Sequence, residues 1–104
     1  MQLINYCDGL LKCGISGEID HHHAKRIREE VDRRIKELTP HEVIMDLSGV
    51  TFMDSSGLGL VLGRYTLCKS AGISFSVTGA DKRTLKIFEL AGLGRIINIE
   101  ENRK

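Results

Sequence analysis

No sign of charge dominates this chain. Fifteen basic residues stand against fourteen acidic ones, leaving a net charge of +1. That balance gives no electrostatic reason to expect nucleic acid or an anionic membrane as a partner. Cysteine is scarce and odd in number, at Cys7, Cys13 and Cys68. No pair has the C-x-x-C spacing of a zinc or redox site. Each falls in an apolar pattern, where a free thiol behaves as a small core hydrophobe. They read as reduced and structural, as in the cytosol. No apolar run approaches the ~20 residues of a membrane span, and no N-terminal stretch has the build of a secretory leader. The sequence holds no repeat, linker or low-complexity segment, and its one proline is Pro40.

What is present reads as one α/β domain. Two short apolar runs, Leu3 to Cys7 and Leu10 to Ser16, are joined by Asp8-Gly9. That pair suits a two-residue hairpin, because both positions need positive φ. Leu11, Cys13 and Ile15 alternate and predict one buried face. Gly17 is expected to break this strand. Asp20 is placed as the N-cap of a helix with an apolar stripe at Ala24, Ile27, Val31, Ile35 and Leu38. Glu29 with Arg33, Glu30 with Arg34, and Asp32 with Lys36 are spaced as i,i+4 pairs on its solvated side. Pro40 ends the segment.

Val43-Ile44-Met45 reads as a parallel strand covered on both faces. A loop is expected from Ser48 to Asp54, then a second helix from Ser55 with a core stripe of Leu58, Val61, Leu62, Tyr65 and Cys68. Ile73, Phe75 and Val77 form a further strand. A third helix follows from about Asp81, with Leu85 and Phe88 inward and Gly92 closing its end. The last strand is expected at Ile96 to Ile99. The order β-β-α-β-α-β-α-β predicts a mixed, mostly parallel sheet with an N-terminal antiparallel hairpin and helices packed on it. Chemistry on such sheets gathers outside the carboxyl ends of the strands, where the Ser48–Ser55 loop would lie.

Two adjacent hydroxyls, Ser55 and Ser56, sit at the predicted start of the second helix. Serine is a common N-cap, and capping alone would explain a serine here. A helix N-terminus also offers free N–H donors and partial positive charge, so it tolerates a phosphate. The dipole could offset roughly 0.3–1 kcal/mol of the added charge. A modification that leaves the fold intact but changes its surface suits a binding switch. On the same helix, Leu60, Gly63 and Leu67 fall opposite the expected core stripe. They suggest an outward apolar patch for a partner, although scattered surface leucines are common.

The segment from Val43 through Asp46-Leu47-Ser48-Gly49-Val50-Thr51-Phe52-Met53-Asp54-Ser55-Ser56-Gly57-Leu58-Gly59, followed by Gly63-Arg64-Tyr65, resembles the signature of bacterial anti-sigma factor antagonists of the STAS-domain family. Gly17-Glu18-Ile19-Asp20-His21-His22 matches as well, and resembles the sporulation-type members. The resemblance implies a single STAS domain over residues 1–104. Family members often continue into another helix after the last strand, so part of the C-terminus is expected to be lacking. It implies phosphorylation at Ser55 by an anti-sigma factor that is a serine kinase, with Asp20, Asp54, Ser56 and Gly57 supporting that site. The bare antagonist would bind the kinase and release the sigma factor, and a serine phosphatase would restore it. Leu60, Gly63, Arg64 and Leu67 form the expected partner surface. The resemblance implies a cytoplasmic regulator that is not an enzyme, with no cofactor, metal, nucleic acid or membrane of its own.

Competing motifs are weaker. Gly57-Leu-Gly59-Leu-Val-Leu-Gly63 has the wrong spacing for a dinucleotide loop and lies inside a helix. His21-His22-His23 point about 100° apart on a helix and cannot share one ion. A serine hydrolase using Ser55 or Ser56 would lack the G-x-S-x-G elbow. A STAS subunit of a larger complex, with no phosphate cycle, is the other alternative.

Overall fold

The computed structural model describes residues 2–102. Strand β1 (Gln2–Cys7) turns into β2 (Leu10–Ile19) through Asp8 and Gly9. Both turn residues have positive φ, 50° and 84°, which gives the primed two-residue turn expected of Asp-Gly. Cys7 pairs with Leu10 directly across it. Beyond the hairpin come α1 (His21–Leu38), β3 (Glu42–Met53), α2 (Ser55–Ser70), β4 (Ser74–Ala80), α3 (Lys82–Leu90), a 3-10 turn (Leu93–Arg95) and β5 (Asn98–Glu101). The sheet order is β1-β2-β3-β4-β5, with only the β1–β2 pair antiparallel.

Each helix therefore connects strands that are neighbours in the sheet, and the strand order never reverses. Without a reversal there is no crevice of the kind that doubly wound sheets open at a switch point. The helices' buried residues and the inward residues of the strands form one cluster. Leu11, Cys13 and Ile15 of β2 and Val43, Met45 and Leu47 of β3 meet Ile27, Val31 and Ile35 of α1, Val61 and Cys68 of α2, and Phe88 of α3. Burial thus alternates along β3, with Ile44 and Asp46 only half-buried and Ser48 exposed. The expectation that β3 is covered on both faces is corrected: one face takes the core.

Three element boundaries differ from the sequence reading. Gly17 does not end β2. It sits at φ +85° beside a register irregularity, and the strand runs on to Ile19. That extension gives the expected Ser48–Asp54 loop a partner. Ser16 pairs with Gly49 and Ile19 with Met53, so most of that loop is strand. A Cβ at Gly49 would lie 2.8 Å from the Ser16 Cβ, so the close approach needs glycine. The last strand begins two residues later than expected, because Leu93–Arg95 wind into the 3-10 turn. Cys13 and Cys68 are buried as expected, but Cys7 is exposed. No helix among the described residues is long and apolar enough to cross a membrane.

Candidate functional site

The extended rungs of β2 and β3 bring two helix N-termini to one end of the sheet. Ile19 and Met53 are paired, and the residue after each is an aspartate that caps a helix. Oδ1 of Asp20 accepts the backbone N–H of His23 at 2.9 Å, and the His23 ring Nδ1 lies 2.9 Å from the same oxygen. The backbone bond is the main reason the Asp20 carboxyl is held below its usual pKa. Oδ1 of Asp54 accepts the backbone N–H of Ser56 at 2.8 Å. The backbone N–H of Asp54 points at the Ile19 carbonyl at 3.4 Å, a long contact between the two strand ends.

Ser55 is the first residue of α2 rather than its cap, because Asp54 takes the capping role. An aspartate acceptor leaves the Ser55 hydroxyl out of the capping bond, and Ser55 is exposed. Ser56 is half-buried and turned towards α1. Gly57 is buried because the Met53 side chain lies where a Cβ would stand. The start of α2 is thus seated on Met53, itself 4% exposed. Its glycine serves close packing under the serines.

The expected partner face on α2 needs correction. Leu60 is 4% exposed and belongs to the core, and Leu67 is half-buried against it. Leu62, expected inside, is 42% exposed. The helix is turned so that Gly57, Leu60, Val61, Arg64 and Cys68 are its buried residues. Arg64 is also buried, and its Nε lies 2.8 Å from Oδ1 of Asp32 on α1. Asp32 therefore reaches across to α2 instead of pairing with Lys36. Glu30 holds both Arg33 and Arg34. Of the four partner candidates, only Gly63 lies at an open place, where a Cβ would meet nothing within 4 Å.

Two features escaped the sequence reading. Phe52, one rung before Met53, is 39% exposed, and the Arg83 guanidinium of α3 lies 5.4 Å from its ring centroid. This places an aromatic and a cation two residues from Asp54. Between α1 and α2 runs a groove of about 390 Å³ lined by His21, Lys25, Arg28, Ser56, Gly63 and Arg64 among others. The spacing of 21, 25 and 28 is helical, and that stripe beside Ser56 was a legible signal. The three consecutive histidines diverge: His21 lines this groove, while His22 and His23 line another depression with Glu29.

Residues 7–104 match the family model described as STAS domain. The chain is 34% identical over 94 residues to the anti-sigma F factor antagonist of Paenibacillus polymyxa, covering 90% of this chain and 80% of that protein. The solved structure of the anti-sigma factor antagonist SpoIIAA in its unphosphorylated form superposes with a TM-score of 0.82 at 26% identity, covering 95% of this chain and 87% of the other. The phosphorylated form of SpoIIAA, described as a Bacillus cell fate determinant, gives a TM-score of 0.77 at 26% identity, covering 95% and 90%.

Proposed function

Because the chain belongs to the STAS-domain family, we propose that it is an anti-sigma factor antagonist switched by phosphorylation of Ser55. The unphosphorylated form binds an anti-sigma factor that is a serine kinase, and so releases the sigma factor. Transfer of phosphate to the Ser55 hydroxyl ends that binding, and a serine phosphatase reverses it. The chain acts as a binding partner in the cytoplasm and not as an enzyme. Similarity to the anti-sigma F factor antagonist and to SpoIIAA supports the sporulation-type reading.

One observation carries this reading: Ser55 is an exposed hydroxyl at the first position of α2, with the capping bond already made by Asp54. Its phosphate would stand at the positive end of a helix of 16 residues. The fold can therefore accept the dianion, and the effect falls on the partner through charge and bulk. The resemblance of this fold to SpoIIAA in both its unphosphorylated and phosphorylated forms supports a switch that leaves the domain intact. Asp20, Asp54, Ser56 and Gly57 set the local geometry. Exposed Phe52 and half-buried Gly63, which faces open space, belong to the natural contact surface, whereas Leu60 and Arg64 act from beneath it.

The test mixes the protein with ATP and an anti-sigma factor serine kinase and reads intact mass. One phosphate is expected on the wild type and none on Ser55→Ala, which should still bind the ADP-loaded kinase. Full labelling of Ser55→Ala moves the site elsewhere. Equal affinity of the bare and phosphorylated forms for the kinase removes the switch.

A further inference from the structure

The two edges of the sheet are built differently. β5 is four residues long, carries Glu100 and Glu101, and pairs with β4 through an irregular register. Short length, charge and irregularity keep an edge strand from pairing with another chain. β1, at the other edge, has none of these devices. It runs for six residues, Gln2–Cys7, with no charged side chain and no proline. Its pairing with β2 is unbroken over that length. Leu3 and Tyr6 on it are 71% and 44% exposed.

The hairpin fixes which backbone groups of β1 are left for another strand. Cys7 and Leu10 flank the two-residue turn and form its hydrogen-bonded pair. Such pairs alternate along an antiparallel ladder, so Leu3, Asn5 and Cys7 spend their N–H and C=O groups on β2. Those of Ile4 and Tyr6 point outward, and β2 is the only neighbour of β1 in the sheet. Side chains alternate in step. Ile4 and Tyr6 lie opposite Cys13 and Leu11 on the helix-covered side, and Leu3, Asn5 and Cys7 lie on the open side.

We propose that β1 pairs antiparallel with β1 of a second copy, about a two-fold axis through Asn5, so that two sheets join into one. This register sets Ile4 against Tyr6 of the second copy, and each such pair exchanges the outward N–H···O bonds of both residues. It also sets Leu3 against Cys7, apolar against apolar, and Asn5 against Asn5, amide against amide. A two-fold axis places every side chain near its own copy, so the uncharged β1 meets no like charge there. Pairing of β1 with β5 would instead build an open chain of copies, and the short acidic β5 opposes it. A ladder of six residues is about 20 Å long. That is less contact than a stable dimer needs, so the dimer is weak and depends on concentration. β1 reaches only as far as Ile15 on β2, short of Ile19 and the head of α2, so both copies keep Ser55 uncovered. The dimer is independent of the phosphoserine switch.

The experiment follows the full chain, kept reduced, by sedimentation equilibrium up to millimolar concentration. A monomer–dimer equilibrium is expected, with concentration-dependent amide shifts centred on Leu3 to Cys7. Leu3 is exposed, so Leu3→Lys should keep the melting temperature of the wild type. It should weaken dimerisation about tenfold or more, through the lost apolar contact and the charge it brings to the edge. Tyr6→Pro, which removes an outward N–H, should weaken it further. Glu100→Gln, on the opposite edge, should leave it unchanged. Register is read by oxidising Leu3→Cys, which should give a dimer bridged between position 3 and Cys7 of the second copy. A chain that stays monomeric throughout, a dimer untouched by Leu3→Lys, assemblies larger than a dimer, or bridging of Cys7 to Cys7 in that variant overturns the proposal.

Discussion

Helices α1 and α2 start side by side, each behind an aspartate cap, but they are built in opposite ways. α1 buries Ile27, Val31 and Ile35 along one stripe and leaves Glu30, Arg33, Arg34 and Glu37 to pair on its outer side. α2 carries only two charged residues, Arg64 and Lys69, and one of them is buried. Apolar side chains and three glycines are spread around it. A helix with a polar face announces which way it turns, because charges cannot go inside. A helix that is apolar on most sides does not. Its orientation comes from what it must avoid and what it must reach: Met53 beneath Gly57, and Asp32 opposite Arg64.

Substitutions on the two helices can break or sharpen this contrast. The largest effect is expected on the face of α2 that the sequence misassigned. Leu60→Asp buries an unpaired charge and should lose about 4 kcal/mol or more, enough to unfold much of the population. Leu62→Asp should stay within about 0.5 kcal/mol of the wild type. Denaturant unfolding checks both, and equal losses would contradict the orientation of α2.

Next comes the pair that joins the helices. Asp32→Ala leaves Arg64 buried without its counter-charge and should cost about 3 kcal/mol. Glu30→Ala, which removes only α1's own exposed pairs, should shift the melting temperature far less. A smaller contrast lies within α2. Gly57→Ala forces the Met53 side chain to move and should cost about 1–3 kcal/mol. Gly59→Ala meets nothing and should gain roughly 0.5–1 kcal/mol from helix propensity.

The last contrast is at alkaline pH. Burial pushes the Cys13 and Cys68 thiols up from 9.0 to about 11. Unfolded, they ionise near 9.0; folded, they keep their protons. Their contribution is complete below pH 9.0 and is lost as pH rises towards about 11. The melting temperature should fall over that window, and fall less in Cys68→Ala. A flat profile would mean that α2 does not seal Cys68 from water.

The same contrast explains what was legible. Asp8-Gly9, the α1 stripe, Asp20 as a cap, and the mixed sheet were all readable, because each depends on local geometry or on strong polar patterning. Ser55 at the mouth of α2 was readable from the residues around it. The extension of β3 to Met53 was not. It exists because β2 continues past Gly17 to pair with it, and pairing partners are not written in either segment alone. The groove was half legible: the 21, 25, 28 stripe lies on one helix, but its other wall depends on how α2 is turned.

By itself, the order of residues determined the succession of strands and helices, where α1 is capped, and that a hydroxyl would stand at the head of α2. Only the tertiary structure decided that β3 runs on to Met53, that Leu60 lies inside, and that Arg64 meets Asp32. The reason is physical: turns, caps and charged faces are settled among near neighbours in the chain, whereas the rotation of an apolar helix is settled by the sheet and the helix it packs against.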